Sequence, residues 1–162
     1  MAGIYLLLGS NKGDKRQQLT VAINRIEKNI GMVCSKSSLY VTKAWGNTNQ
    51  PDFLDQVVEI EYSGTAGHLL DAILCIEEDM GRIRDKKWGP RVIDIDILFF
   101  HDLIFRSEKL IIPHPEIANR RFTLEPLVEI ATHFIHPLLN KSNQFLLDAC
   151  SDTLEVKKIG EN

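Results

Sequence analysis

Two aspartates one residue apart, Asp94 and Asp96, stand in the most strand-like run of the chain, Val92-Ile93-Asp94-Ile95-Asp96-Ile97-Leu98-Phe99-Phe100. On a strand, residues i and i+2 share a face and lie roughly 6.5 Å apart. Both carboxylates therefore point one way, while Ile93, Ile95 and Ile97 point the other way into a core. Hard oxygen ligands at that spacing suit Mg²⁺, which binds through one or two carboxylates, water and substrate phosphates. A lone Asp-x-Asp also describes the wet side of an ordinary amphipathic strand. The preceding loop shifts the balance. It carries Arg82, Arg84, Lys86, Lys87 and Arg91 against Asp85 alone, a local excess of four positive charges in a net acidic chain. Cations beside metal-binding carboxylates are what a polyphosphate needs, because they offset charge that develops during transfer.

Trp88 lies in the same loop, ahead of Gly89-Pro90. A large aromatic among charges can stack on a ligand or close over it, or can simply anchor the loop. His114 sits between Pro113 and Pro115, in a stiff segment that aims its side chain narrowly. It reads either as a structural histidine or as a phosphate-binding or proton-carrying one. Asn119-Arg120-Arg121-Phe122 follows and supplies two more cations and an aromatic. On their own, Phe53 and Phe122 are ordinary core candidates. The chain has no Gly-x-x-x-x-Gly-Lys loop, no His-Glu-x-x-His and no nucleophile elbow, so nucleotide binding here does not use a P-loop.

These residues must be held by surrounding elements. Ile4 to Leu8 is a short apolar run bounded by Gly9-Ser10-Asn11, which predicts a buried central strand. Asn11 is placed to cap a helix whose apolar positions are Leu19, Ala22, Ile23, Ile26 and Ile30, with Gly31 ending it. Residues 33–42 read as a second strand and 43–53 as a loop rich in turn formers. A third strand over about 54–62 precedes Thr65, which caps a second helix with Leu69, Leu70, Ile73, Ile76 and Met80 inward and Gly81 at its end. Residues 103–106 read as an edge hairpin after the aspartate strand. The order β-α-β-β-α-β predicts an α+β, ferredoxin-like core with helices packed on one face of an antiparallel sheet, followed by C-terminal helical additions.

The 162 residues, 44% hydrophobic and 25% charged, fit a single soluble domain spanning 1–162. A formal net charge of −3 argues against a general nucleic-acid binder but leaves room for a local nucleotide site. Cys34, Cys75 and Cys150 are odd in number and have neither zinc-site nor redox spacing, which points to a reduced, cytoplasmic protein. Cys75, inside an apolar run, reads as a buried thiol. The N-terminal apolar run lacks a basic start and cleavage site, and no segment nears the roughly 20 apolar residues of a membrane span.

The segments also resemble a known family, the 6-hydroxymethyl-7,8-dihydropterin pyrophosphokinases. The matching stretches are Leu8-Gly9-Ser10-Asn11, Gln50-Pro51-Asp52-Phe53-Leu54, Ile76-Glu77, Met80-Gly81-Arg82-Ile83-Arg84 and Trp88-Gly89-Pro90-Arg91 leading to Asp94-Ile95-Asp96-Ile97. Ile112-Pro113-His114-Pro115, Asn119-Arg120 with Phe122, and Pro126-Leu127 with Glu129-Ile130 continue the match in order. The resemblance implies transfer of pyrophosphate from ATP to the hydroxymethyl group of a reduced pterin, on the way to folate. It implies that Asp94 and Asp96 hold two Mg²⁺ ions that bridge the ATP phosphates. Arg82, Arg84 and Arg91 would contact ATP and steady the transferring group. His114, Arg120 and Glu77 would serve the ATP site, and Trp88 would belong to a loop closing over both substrates. Phe53 and Phe122 would sandwich the pterin, with Thr42 and Gly46 completing its pocket. Asp55 would also meet the pterin, where the family usually has Asn, and Lys43 and Trp45 replace a Pro-rich, aliphatic loop. The implied partners are these small molecules, with no nucleic acid and no membrane, and the family is typically monomeric.

Overall fold

The computed structural model describes residues 3–43, 49–81 and 92–160. Strand β1 (Ile4–Ser10) is buried along its whole length, as a run of Tyr, Leu and Ile with no charge requires. It pairs antiparallel with β4 (Phe53–Ile60) on one side and β5 (Asp94–Phe100) on the other. Strand β3 (Leu39–Thr42) pairs with β4, and β8 (Val156–Gly160) adds beyond β3, giving the order β5-β1-β4-β3-β8. A short β2 (Val33–Lys36) also pairs with β4. The expected single strand over 33–42 is thus two. Ser37 breaks it: its N–H donates to the Val57 carbonyl, its Oγ accepts the Val57 N–H, and Gln56 Nε2 donates to the Ser37 carbonyl at 2.8 Å.

Helices α1 (Lys15–Asn29) and α2 (Ala66–Asp79) pack on one face of the sheet. Leu19, Ile23 and Ile26 from α1 and Leu69, Ile73 and Ile76 from α2 meet Leu6, Leu8, Val58, Ile95 and Ile97 there. Together with their strands these two helices form the βαββαβ core that the sequence predicts. Thr65 caps α2, its Oγ1 accepting the His68 N–H at 3.1 Å, and Gly81 follows with φ +90°.

The C-terminal additions cover part of the opposite face. There α3 (Arg121–Ala131) and the short α4 (Asn143–Asp148) enclose Tyr5, Leu7, Val57, Leu98 and Phe99. The segment expected to form an edge hairpin is a separate two-stranded ribbon, β6 (Phe105–Arg106) with β7 (Ile111–Ile112).

Three local expectations are corrected. Asn11 does not cap α1, because its Nδ2 donates to Gln50 Oε1 and the Pro51 carbonyl; Asp14 is the cap and accepts the Gln17 N–H. Gly31 is not in a left-handed turn. A Cβ there would collide with the Glu61 carbonyl oxygen, so close backbone approach explains the glycine. Cys75 is exposed, because Leu69, Ile73 and Ile76 set the buried side of α2 and position 75 falls outside it. Among the described residues no helix is long and apolar enough to cross a membrane.

Candidate active site

Side chains paired directly across antiparallel strands share a face. Gly9 of β1 pairs with Asp55 on β4 and with Asp94 on β5, and Asp55 in turn pairs with Tyr40 on β3. Tyr40, Asp55, Gly9 and Asp94 thus form one row across four strands. Thr42 and Phe53 flank the row on the same face, and Asp96 lies two residues along β5. On that face Leu7, Val57 and Leu98 lie beneath α3. The α3 face is therefore apolar under the helix and polar beyond it, and the polar part holds the predicted site.

Asp94 and Asp96 are both half-buried, while Ile93, Ile95 and Ile97 point into the core on the other side. Glu77, only 1% exposed, reaches from α2 and accepts the Ile95 N–H through Oε2 at 2.8 Å. That bond holds the strand at the residue between the two aspartates. Two side-by-side carboxylates on a rigid strand are a donor set that fits Mg²⁺.

Asp55 is 3% exposed and accepts the Thr42 hydroxyl through Oδ2 at 2.9 Å. Burial pushes its carboxyl up to about 8; the Thr42 bond opposes the rise and the charge of Asp94 adds to it. Near neutral pH the group is therefore largely protonated. Gly9 is needed for this arrangement, because a Cβ there would lie 2.7 Å from Asp55 Oδ1 and 3.4 Å from Phe53 Cδ1. Phe53 is half-buried beside them.

His114 and Arg120 form a second group. The His114 backbone N–H donates to the Leu98 carbonyl, tying the Pro-His-Pro segment to β5. His114 Nδ1 accepts the Glu116 N–H at 3.1 Å, which leaves Nε2 as the donor of the neutral ring. Burial lowers its pKa to about 4, with the Arg120 cation acting in the same direction and Glu116 and Asp94 opposing. The Asp94 charge acts on His114 and so links this group to the aspartate row. The Arg120 guanidinium stands over the Phe122 ring, 5.5 Å from its centre.

Of the predicted site residues, Thr42, Phe53, Asp55, Asp94 and Asp96 thus share one face of the sheet. Glu77 supports that face from behind, and His114 and Arg120 with Phe122 border it. Gly46, Arg82, Arg84, Trp88 and Arg91, with Trp45, lie outside the described residues. Lys43 is paired with Asp52 at 3.8 Å. Residues missed by the sequence reading are Gly9 as the space for Asp55, and the network of Glu129 with Ser38 and Tyr40. The repeated small residue after the first apolar strand was the only local signal for the former.

Residues 5–132 match the family 7,8-dihydro-6-hydroxymethylpterin-pyrophosphokinase (HPPK). The chain belongs to the HPPK family. Its relatives include the 2-amino-4-hydroxy-6-hydroxymethyldihydropteridine pyrophosphokinase of Aquifex aeolicus, 41% identical over 87% of this chain and 88% of that protein. The protein of the same name from Methylorubrum extorquens is 41% identical over 83% of this chain and 86% of its own length. The folic acid synthesis protein fol1 of Schizosaccharomyces pombe is 39% identical over 89% of this chain, which corresponds to only 20% of that longer protein. Among solved structures, the HPPK-DHPS protein of Plasmodium falciparum shares the fold with a TM-score of 0.74 at 17% identity, covering 92% of this chain and 43% of that one. Membership brings with it the HPPK reaction, pyrophosphoryl transfer to a hydroxymethyl dihydropterin in folate synthesis.

Proposed function

We propose that the row Asp55–Gly9–Asp94 is where this HPPK domain brings its two substrates together, the pterin at the Asp55 end and the ATP phosphates at the Asp94 end. The observation that supports this is the pairing of both aspartates with one glycine, so that the two carboxylates stand on the strands either side of β1 and on a single face of the sheet. Phe53 and Phe122 are the two walls for the flat pterin ring. Asp55 and Thr42 read its polar edge, with Gly46 completing the pocket. A protonated Asp55 offers both a donor and an acceptor, as the amide of Asn does.

Asp94 and Asp96 would hold Mg²⁺, which when bound offsets charge on the phosphate oxygens and makes the attacking hydroxyl more acidic. Glu77 acts through Ile95 by keeping the two carboxylates in register. His114 presents a neutral N–H donor and Arg120 a cation toward the ATP phosphates. Arg82, Arg84 and Arg91 add guanidinium groups that steady the transferring group, and Trp88 closes over the site. The pterin hydroxymethyl oxygen attacks the β-phosphorus, the bond from that phosphorus to the α,β-bridging oxygen breaks, and AMP leaves. This chemistry rests on positioning and charge stabilisation, and no protein base is assigned.

The test is AMP formation from ATP and Mg²⁺, with and without 6-hydroxymethyl-7,8-dihydropterin. Pterin-dependent AMP, matched by pterin diphosphate, is the expected result. ATP hydrolysis to inorganic phosphate without need of pterin would overturn the reading.

A further inference from the structure

A polar cluster on the same side of the sheet has no part in the roles assigned above. Glu129 of α3 accepts three hydrogen bonds from β3 and the residue before it. Its Oε1 takes the Ser38 N–H at 2.9 Å and the Tyr40 hydroxyl at 2.8 Å, and its Oε2 takes the Ser38 hydroxyl at 2.7 Å. Lys158 Nζ from β8 stands 3.8 Å from Oε2. The bonded residues are 89 and 91 positions away in sequence, so the network joins helix to strand and owes nothing to local turn chemistry. Burial would raise the Glu129 pKa, but the bonds from Ser38 and Tyr40 prevail and lower it, so the carboxylate stays charged.

The place of this bond in the fold matters. Tyr40 and Thr42 point to the same side of β3, and Thr42 pairs with Phe53. Phe122 lies seven residues before Glu129 on α3, two turns away on the same side of the helix. One end of the tie therefore sits a strand step from one aromatic wall, and the other end sits on the helix that carries the second wall. We propose that Glu129 is a positioning residue for the pterin: by pinning α3 to β3 it sets the gap between Phe122 and Phe53. The proposal rests on the reading of those two rings as the walls of the pterin site. A ring sandwich is sensitive to such a gap, because a radial loosening of 0.5–1 Å already forfeits about a quarter to a half of the contact energy.

The experiment compares Glu129→Ala, Glu129→Gln, Tyr40→Phe and Phe122→Ala with the unmutated chain. Pterin affinity is measured with a non-hydrolysable ATP analogue and Mg²⁺ saturating, and affinity for the analogue is measured separately. Glu129→Ala is expected to weaken pterin binding about tenfold, as loss of the acceptor of three part-buried hydrogen bonds would, with analogue affinity unchanged. Glu129→Gln is expected to restore most of it, since its carbonyl can accept the Ser38 N–H and Tyr40 bonds. Tyr40→Phe removes one bond and gives a smaller loss, about threefold, and it decides the matter where Glu129→Ala does not fold. A folded Glu129→Ala or Tyr40→Phe with undiminished pterin affinity overturns the proposal. So does a loss that falls equally on both ligands and is not rescued by Gln. Undiminished pterin affinity in Phe122→Ala would instead overturn the reading of the two walls.

Discussion

Asp55 Oδ1 fills the space that a side chain at Gly9 would need, with a Cβ there coming within 2.7 Å. The strand that separates the two halves of the site thus carries no side chain at the point where they meet. In Gly9→Ala the methyl group must displace a carboxyl that is already bonded to Thr42 and closely packed. The cost is about 1–3 kcal/mol of stability, as for other overpacked sites. Pterin affinity falls with it, whereas Mg²⁺–ATP analogue affinity is retained because Asp94 is not the group displaced. Thermal unfolding and titration with each ligand check this, and unaltered pterin binding would show that the Asp55 carboxyl is not part of the pocket.

Asp55 also makes stability depend on pH. Its ordinary value is 3.8 and its folded value is about 8, so between these limits the folded chain holds a proton that the unfolded chain has released. Stability from this group is fully present below 3.8 and is lost as pH rises through about 8. The loss from pH 5 to pH 9 is on the order of 4 kcal/mol. Asp55→Asn, which cannot ionise, should flatten that decline and be the more stable form at pH 9. Denaturant melts of both proteins at pH 5, 7 and 9 measure it; parallel curves would mean that Asp55 is not held protonated by the fold. Pterin affinity should follow the same profile, stronger below pH 8, because only the protonated group donates as well as accepts.

Local patterns in the sequence foretold the parts of the fold that depend on local chemistry. Thr65 and Gly81 bracket α2 because a cap and a left-handed glycine act within one turn. Asp94 and Asp96 could be assigned to one face because strand periodicity needs no partner. Cys75 was misread within its own helix, whose buried side it misses, but the other failures were settled by distant contacts. Asn11 has the right residue type for a cap but is claimed by Gln50 and Pro51, 39 and 40 residues away. The break at Ser37–Ser38 depends on Val57 and Glu129, which no local window contains. The row Asp55–Gly9–Asp94 required the register of three strands. Before that register is known, each residue is only one polar or small residue among many.

Asp96 bears on chemistry and little on folding. It is half-buried at the open end of a strand whose inward face is held by isoleucines. Asp96→Ala should therefore leave far-ultraviolet circular dichroism and melting temperature near those of the unmutated chain. AMP formation should drop at least about a hundredfold, in keeping with the loss of a group that stabilises charge in the transition state. A rate within tenfold of normal, measured at saturating Mg²⁺, would remove Asp96 from the metal site.

His114 should be silent in the pH dependence of the free enzyme. A histidine that carried a catalytic proton would put an inflection in kcat/KM near its ordinary 6.5, since that ratio reports groups of the unliganded protein. Here burial, aided by the Arg120 cation, brings the value to about 4, and the Glu116 N–H occupies Nδ1. Between pH 5.5 and 7.5 the ring is neutral and serves only as an Nε2 donor. His114→Gln, whose amide can donate but cannot titrate, should lower kcat/KM without changing the shape of the profile in that range. An inflection near 6.5 present in the unmutated chain and absent in His114→Gln would make His114 a proton carrier and sink the donor-only role.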